Sequence, residues 1–524
     1  MSALVKLFSR VEVSKHNHPD DAWIIIDDDV FNVTKFIRLH PGGSAFIVGA
    51  AGKDATTEFH LYHHIDHLRK YSRTLKIGSL VEADRKTPKR PVKISPHSFG
   101  DMVPYGDPAW YQRFNSPYYK PTHVAFRAKV RSFVDTEVIP TMREWCDAEK
   151  PPKDLYMKVG AAGFLACMHG PPYPSKYCTV PQPENFDYFH ELILYDEFGR
   201  TGHSGVIAAL CNGCAIGMSA VIRFGTEEMK QRIAPGVFDG SKMIALAISE
   251  PNAGSDVAGL ITTAVRVGEL TDPEAYYLVN GCKKWITNGT YADYFVTAVK
   301  SKPEGGHSGL SFLLVERGMP GFSTRKLAIR DSDVSGTAFL EFVNVKVPVK
   351  NLIGREHDGF KYIMYNFNHE RFFITVHCAR LARICVEECI RFALRRKTFG
   401  KTLSEHQVIR MKIAAMARQV EQLQAWLEFV TFQLCTMSHG EANSKIGDVI
   451  CLLKSQSSKT LEYCARETTH IFGGNSMHTT SVGRNIERMV GSVKGYAIPA
   501  GAEDVMDDFA ARAAFKLAKK TARL

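Results

Sequence analysis

Apolar and polar residues alternate with two different periods along this chain, and the change of period divides it into regions. From about residue 104 to 240, apolar residues return every three or four positions between glycine and proline breaks, which predicts helices. The same helical period returns after residue 351. The region between them contains short apolar or alternating runs, which predict strands. These runs are 243–248, 277–279, 294–299, 311–315 and 339–347, and Asn280-Gly281 predicts a hairpin turn.

The longest helical pattern lies in the C-terminal region. Eight apolar residues follow one another there at intervals of four and three, which predicts a tight helical bundle and needs no cofactor to explain it. They are Ile409, Ile413, Met416, Val420, Leu423, Leu427, Val430 and Leu434.

One stretch, 204–222, carries no charge over the length of a membrane span. It also contains Asn212, three glycines and two serines, which are more typical of a helix buried inside a protein. We therefore predict a buried helix here and no membrane span.

The length and composition fit a protein of two to four domains with ordinary globular cores. The 524 residues are 45% hydrophobic and 23% charged, and the net charge of +11 suits an anionic ligand such as a coenzyme A ester. No dense basic run interleaved with aromatics appears, so the charge does not predict nucleic-acid binding. The single C-x-x-C, Cys211 to Cys214, lies in an apolar stretch without nearby histidines, which favours packed thiols over zinc or redox chemistry. Scattered cysteines favour a reducing compartment.

A separate module is predicted in front of these regions. His40-Pro-Gly-Gly43 is followed 24 positions later by His64, behind Phe59. This part, residues 6–82, resembles the small α+β domain of cytochrome b5, in which two imidazoles bind haem iron from opposite sides. The resemblance implies haem b as a cofactor and His40 and His64 as its metal ligands. Four apolar residues can line the haem slot: Phe36, Leu39, Phe46 and Phe59.

The second haem ligand is ambiguous because His60, His63, His64 and His67 crowd one short stretch. His60 and His64, four residues apart, have a spacing that also suits zinc. The spacing from His40 selects His64, and His63 is the substitute. The charged, proline-containing run 83–103 that follows predicts a flexible linker.

Two hydroxyl-bearing segments are the strongest functional signal of the larger module. A-I-S-E-P-N-A-G-S-D ends at Asp256, and W-I-T-N-G begins 29 residues later at Trp285. The pair resembles the flavin signature of acyl-CoA dehydrogenases and implies FAD as a second cofactor. It would place the Ser249 and Thr287 hydroxyls and the Trp285 ring against the flavin, with Ile248 and Ser255 as further contacts.

The same resemblance implies the fold of the rest of the chain. After the haem domain and linker come an N-terminal helical domain (104–240), a middle β-barrel-like domain (241–350), a C-terminal four-helix bundle (351–518) and a tail (519–524). Two segments of the bundle resemble those that bind the dinucleotide of a neighbouring subunit, so a homodimer or homotetramer is implied. The implied contacts are Arg396, Phe399, Gln407, His470, Gly473 and Gly474, with histidine standing where the family usually has glutamine.

The family removes the α-proton of an acyl thioester with a glutamate, which many members carry in a Y-E-G-T loop. Here the matching loop ends in Ala500, Gly501 and Ala502, so alanine replaces the glutamate. Isovaleryl-CoA and long-chain members place their glutamate before an arginine on an earlier helix, and N-H-E-R offers Glu370 before Arg371. We therefore predict Glu370 as the catalytic base, and the alternative is an ion pair with Arg371 on a solvated helix. Implied substrate contacts are Ser255, Asn368, Arg371, Ala500 and Gly501, and Ala502 is implied as a cofactor contact.

These features favour FAD-dependent α,β-dehydrogenation of acyl-CoA, with the haem relaying electrons to an acceptor that the sequence does not identify. One alternative is an acyl-CoA oxidase that passes electrons to oxygen. Another is a non-catalytic flavin and haem protein that binds acyl-CoA. The terminal Ala522-Arg523-Leu524 resembles a peroxisomal address, and without it a cytoplasmic or mitochondrial location is expected.

Overall fold

The computed structural model describes residues 6–63, 65–86, 98–112, 114–330, 333–479 and 482–521. The chain forms two compact units. The first comprises residues up to 114 together with 385–417 and 465–487. The second comprises 115–384, 418–464 and the residues from 488 onward. His64 and the 522–524 tripeptide lie outside the described residues.

The N-terminal domain is a small sheet with short helices. In Asp21–Ile26, the residues Ala22, Ile24 and Ile26 belong to one core and Ile25 to another, as the alternation of side chains along a strand requires. Asp27 and Asp28 both have positive φ and form the tight turn into the next strand. The strands are β1 Leu7–Phe8, β2 Asn17–His18, β3 Asp21–Ile26, β4 Asp29–Asn32 and β5 Lys76–Leu80, in the order β1-β5-β4-β3-β2. The helices are α1 Arg10–Lys15, α2 Ser44–Ala50, α3 Thr56–Tyr62 and α4 Ile65–Leu75.

The described ends of the predicted linker are hydrogen-bonded. Lys86 N donates to Asp28 Oδ1 at 3.1 Å, and Phe99 N donates to Tyr111 O at 2.8 Å. Ordered contacts therefore begin before residue 104, and residues 87–97 lie outside the described part of the chain.

Helices fill the region from Ala109 to Phe238. The uncharged stretch forms two of them, with a π-helical turn Gly213–Gly217 between, and 78% of its apolar window is buried inside the protein. That burial agrees with a core helix. The helices are α5 Ala109–Gln112, α6 Pro121–Phe133, α7 Met142–Ala148, α8 Lys153–Ala161, α9 Phe164–Cys167, α10 Tyr188–Gly199, α11 Ser204–Asn212, α12 Met218–Phe224 and α13 Glu227–Phe238.

The middle region is a single sheet in the described residues, with the order β11-β12-β8-β7-β9-β10-β13 and β6 paired to β9. Its core is built from the inward residues of these strands, among them Tyr277, Val279, Phe295 and Leu340. The strands are β6 Ile244–Ala247, β7 Thr263–Val267, β8 Tyr276–Ile286, β9 Tyr294–Lys300, β10 Leu310–Glu316, β11 Phe322–Lys326, β12 Ala338–Pro348 and β13 Leu352–Ile353.

The hairpin predicted at Asn280-Gly281 is wrong. Both residues lie inside the continuous strand β8, where its pairing with β12 shifts register. The Asn280 side chain accepts from Asn344 N across this irregularity at 2.8 Å. Gly281 has φ 139, and a Cβ there would lie 2.7 Å from the Thr262 backbone, so the glycine is needed for close strand packing and a bulge.

Long helices form the C-terminal region. The predicted stripe is buried from Met416 to Val430, while Ile409, Ile413 and Leu434 are half-buried toward the ends of their helix. The helices are α14 Gly359–Arg395, α15 Gln407–Thr436, α16 His439–Lys445, α17 Gly447–Phe472, α18 Arg484–Ala497 and α19 Glu503–Thr521, and a hairpin of β14 Lys397–Thr398 and β15 Lys401–Thr402 connects the first two.

Candidate active site and cofactor sites

The two hydroxyl-bearing segments lie side by side. Lys284 N donates to Ser249 O at 2.9 Å, so the end of β8 runs beside the loop that follows β6. Ser249 and Thr287 are half-buried, and their hydroxyls have no hydrogen-bond partner among the described residues. They are therefore available to a ligand, as the flavin interpretation requires. Ile248 is buried beneath them, and Ser255 is exposed at the far end of the loop.

A buried ion pair that the sequence interpretation missed joins these segments. Lys283 Nζ donates to Ile248 O at 2.9 Å and lies 2.7 Å from Glu250 Oε1. Glu250 also accepts from the backbone N–H groups of Ile261 and Thr262. Burial alone would raise the pKa of Glu250, but the Lys283 charge and these donors hold it below its usual range. The sequence offered one signal for this ion pair: Glu250 lies inside the first segment, and Lys283 lies two residues before the second segment begins at Trp285.

Trp285 occupies a strained position at the end of β8. Its φ is 68°, a left-handed conformation that is unusual for a bulky side chain, and the residue is 54% exposed. Lys284 Nζ lies 4.4 Å from the centre of the indole ring. An exposed aromatic face held at a backbone cost is typical of a binding site.

Glu370 lies on α14 and is only 7% exposed, so it does not occupy a solvated helix face. Asn366, one helical turn earlier, donates to its Oε1 at 2.7 Å. Burial raises the pKa of Glu370 to about 7, against the opposing effects of this hydrogen bond and of the Arg371 charge. Such a carboxyl group is suited to act as a general base near neutral pH.

Arg371 bonds to the loop that lacks the family glutamate. Its Nε donates to Ala500 O at 3.1 Å, and its Nη1 donates to Asn368 Oδ1 at 2.9 Å. Lys454 also holds this loop, because its buried ammonium donates to Ala497 O and Gly501 O at 2.7 Å each. The structure thus brings Asn368, Arg371, Ala500 and Gly501 together around the helix that carries Glu370.

The residues of the predicted dinucleotide site lie in the first unit. Phe399, with φ 50°, forms the turn of the β14–β15 hairpin and is 95% exposed. His470 is exposed beside Lys412, whose ammonium pairs with Glu467. Gly473 has positive φ. Gln407, Gly473 and Gly474 are exposed, and Arg396 is half-buried.

The haem residues can be tested on the geometry of the N-terminal domain. His40 Nδ1 bonds to Gly43 O at 2.9 Å, which leaves Nε2 for a metal and fixes the ring, as is usual for metal-binding histidines. A Cβ at Gly42 would lie 2.8 Å from the His40 ring, so any larger residue there would displace the ring from this position. Leu39 and Phe46 are 71% and 68% exposed, which fits the walls of an apolar slot for haem.

Among the described residues, His63 is the second imidazole near His40. The two ring centres are 5.7 Å apart, and His63 stacks on Phe59. Burial and the neighbouring His67 and His40 lower the pKa of His63, which favours the neutral, metal-binding form. His64, selected by the sequence spacing, lies outside the described residues.

These features define a flavin-dependent dehydrogenase joined to a haem-binding domain. Residues 120–241, 245–344 and 357–515 match the N-terminal, middle and C-terminal domains of acyl-CoA dehydrogenases, and 9–81 match the cytochrome b5-like haem/steroid binding domain. An acyl-CoA dehydrogenase of Alternaria alternata is 35% identical over 419 residues, covering 78% of this chain and 95% of that protein. Isovaleryl-CoA dehydrogenase of Arabidopsis thaliana is 26% identical over 411 residues, covering 77% and 94%.

Comparison with solved structures supports the same family assignment. The crystal structure of a probable acyl-CoA dehydrogenase from Mycobacterium abscessus superposes with a TM-score of 0.68 at 30% identity, covering 76% of this chain and 100% of that one. The chain belongs to the acyl-CoA dehydrogenase family and carries a fused cytochrome b5-like domain. It is therefore an oxidoreductase whose two folds bind FAD and haem.

Proposed function

We propose that the protein catalyses α,β-dehydrogenation of a fatty or branched acyl-CoA, with Glu370 as the base that removes the α-proton. The observation that carries the proposal is the burial of Glu370, which keeps its pKa near 7. At neutral pH such a group is ionised in a substantial fraction of molecules, and its partly desolvated carboxylate is a stronger base than that of an ordinary glutamate, so it is reactive toward a carbon acid. FAD, when bound, supplies the acceptor for the β-hydride.

The neighbouring residues support a binding role. Asn366 fixes one oxygen of the base, and Arg371 fixes the loop through Ala500 O. The Ala500 N–H has no acceptor among the described residues, and we assign it to the thioester carbonyl, because an amide donor needs no particular side chain. Since asparagine replaces the usual aspartate at Asn368, no acidic partner from that position neutralises Arg371, which suits an anionic coenzyme A ester.

The haem domain is proposed as the route by which electrons leave the dehydrogenase. The support is its fusion to the module and the suitability of His40 as a haem ligand. The exposed Phe399, Gln407 and His470 support the proposal that the dinucleotide site is completed by a neighbouring subunit in a homodimer or homotetramer. A peroxisomal location remains a proposal from the sequence alone.

The test is an anaerobic titration of the purified protein with acyl-CoAs of several lengths, with the flavin and haem absorption bands followed together. Flavin bleaching that Glu370→Gln abolishes, followed by haem reduction, is the expected result, and the preferred chain length identifies the substrate. Bleaching without haem reduction rejects the relay. Peroxide formed under air at the rate of turnover favours an oxidase. If no acyl-CoA changes the flavin or the haem absorption band, the catalytic proposal fails.

A further inference from the structure

His369, the residue before Glu370, faces a hydrogen-bond acceptor at each ring nitrogen. Its Nδ1 lies 3.0 Å from Ala215 O, and its Nε2 lies 2.5 Å from Glu191 Oε1. A backbone carbonyl only accepts, so Nδ1 must carry a proton. The contact between Nε2 and the Glu191 carboxylate then contains a second proton, because two acceptor atoms do not face each other without a proton between them.

The fold is arranged to keep this pair together. Glu191 lies on α10, 178 residues away in sequence, and its side chain is fully buried. Gly170 passes beside both groups with φ +80°, and a Cβ there would lie 2.8 Å from His369 Nε2 and 2.9 Å from Glu191 Oε2. A side chain at that position would displace one partner or the other.

The titratable groups around His369 and Glu191 in the described part of the chain include Arg223, two further imidazoles and the phenols of Tyr188 and Tyr195. Burial, together with the Glu191 charge, raises the pKa of both phenols, so they stay neutral and add no charge. Burial lowers the pKa of His439 to about 4 and that of His169 well below its usual range, and the charges of Arg223 and His369 lower both further. Burial alone would lower the pKa of His369 as well, but Glu191 raises it above the usual value. His369 is therefore the imidazole of this cluster whose surroundings, an acceptor at each ring nitrogen and the Glu191 carboxylate, favour the charged form.

The charged groups that act on Glu370 are few. Arg371 and His369, its two neighbours on α14, are the charges that lower its pKa against the effect of burial. The positive charge of Arg371 is permanent, whereas the charge of His369 depends on whether its ring is protonated. Asn366 connects the same site to the π-helical turn, because its amide donates to Glu370 and also to Ile216 O at 3.3 Å, next to the carbonyl that His369 binds.

We propose that Glu191 and His369 are positioning residues that keep a proton, and with it a positive charge, beside Glu370 and so set the pH at which Glu370 can accept the substrate's α-proton. This inference rests on the proposed role of Glu370. No net proton is consumed, because the pair retains its proton through turnover.

The test is Glu191→Gln. The glutamine amide can donate an N–H to His369 Nε2, so the ring then needs only its Nδ1 proton and becomes neutral. Glu370 loses a neighbouring positive charge, and we expect the acidic limb of the kcat/KM profile to move to higher pH by about one unit. His369→Gln, which also removes the charge, is expected to shift the limb in the same direction and serves if the first variant does not fold.

Glu197→Gln is the matched control. Glu197 lies on the same helix, is equally buried and pairs with Arg131 at 2.5 Å. Its loss is expected to lower the melting temperature and to leave the midpoint of the acidic limb where it is. A shift of the midpoint in this control equal to that of Glu191→Gln would reduce the effect to general loosening of the fold and overturn the proposal.

A second readout does not depend on catalysis. In ¹⁵N-histidine NMR of the holoenzyme at pH 8, we expect the wild-type spectrum to contain a ring with two protonated nitrogens whose signals are absent from both Glu191→Gln and His369→Gln. If wild-type protein bleaches with acyl-CoA but the Glu191→Gln midpoint is unchanged, the positioning role is rejected and the dehydrogenase stands. If the flavin of the wild-type protein does not bleach with acyl-CoA, the proposed function fails. The NMR result then decides independently whether His369 and Glu191 form a charged pair.

Discussion

Lys283 Nζ lies 2.7 Å from Glu250 Oε1, and neither side chain is accessible to solvent. Removing one partner of such a pair leaves an uncompensated charge in the interior, which typically costs about 3–5 kcal/mol. We expect Lys283→Met to lower the free energy of unfolding by about this amount. We also expect it to weaken FAD binding, because the ion pair joins the Ser249 and Trp285 segments. Urea unfolding and the flavin content of the purified protein measure the two effects.

The exposed pair Lys242–Asp293 provides the control for that variant, with nitrogen and oxygen 2.9 Å apart. Lys242→Met is expected to change the free energy of unfolding by less than about 1 kcal/mol, since exposed pairs contribute little. Equal effects of the two substitutions would mean that burial of the Lys283 charge is unimportant.

The raised pKa of Glu370 predicts opposite trends for activity and stability. Activity should rise with pH through about 7, as the carboxyl group loses its proton. The folded state binds this proton more tightly than the unfolded chain, so the stabilisation is present below the unfolded pKa near 4.5 and is lost as pH rises through about 7. Relative to Glu370→Gln, wild type should lose on the order of 3 kcal/mol across that window. Parallel stability curves for the two proteins, measured by denaturant unfolding, would contradict the assignment.

The left-handed Trp285 predicts a separation of stability from cofactor binding. Glycine adopts φ 68° without the penalty of about 1–2 kcal/mol that other residues carry there. Trp285→Gly should therefore leave the melting temperature of the apoprotein unchanged or higher, while the Kd for FAD increases. Asn185, exposed at φ 52°, is the comparison, and Asn185→Gly should not alter FAD binding.

The haem ligands can be distinguished by spectroscopy. His40→Ala is expected to abolish the low-spin haem spectrum, because the ring fixed by Gly43 O supplies one axial nitrogen. The spacing predicts that His64→Ala has the same effect and that His63→Ala keeps the spectrum. The reverse result would assign the second ligand to His63, whose ring lies 5.7 Å from that of His40. His18→Ala, at an exposed position, should match wild type.

Much of the fold could be predicted because the relevant signals are local. The runs at 294–299 and 311–315 are apolar except for Thr297 and Ser311, and they form the neighbouring buried strands Tyr294–Lys300 and Leu310–Glu316. The hairpin prediction at Asn280-Gly281 was wrong because this signal is also local. A dipeptide typical of tight turns also suits a bulge inside a strand, where Thr262 packs against it. Only the pairing of β8 with its neighbours distinguishes the two cases.

The site was predictable only in part. Glu370 could be proposed as the base because N-H-E-R and the loop containing Ala500 are both visible in the sequence, and its catalytic role stays a prediction. Glu191 could not, because its partner is 178 residues away and a glutamate inside an apolar helix gives no indication of what it binds. Charge pairs of this kind are fixed by tertiary packing, which local patterns do not report.

With Glu370 as the proposed base, its position on a helix also separates proton removal from the loop that corresponds to the Y-E-G-T pattern. Asn366 supports the Glu370 carboxylate from the same helix, whereas Arg371 and Lys454 hold the 497–501 segment through the backbone carbonyls of Ala497, Ala500 and Gly501. Substitutions in the loop can therefore accumulate without displacing the acid–base group. Under the proposed mechanism, changes in this loop could alter which acyl chain is accepted while the proposed proton-transfer group stays in place.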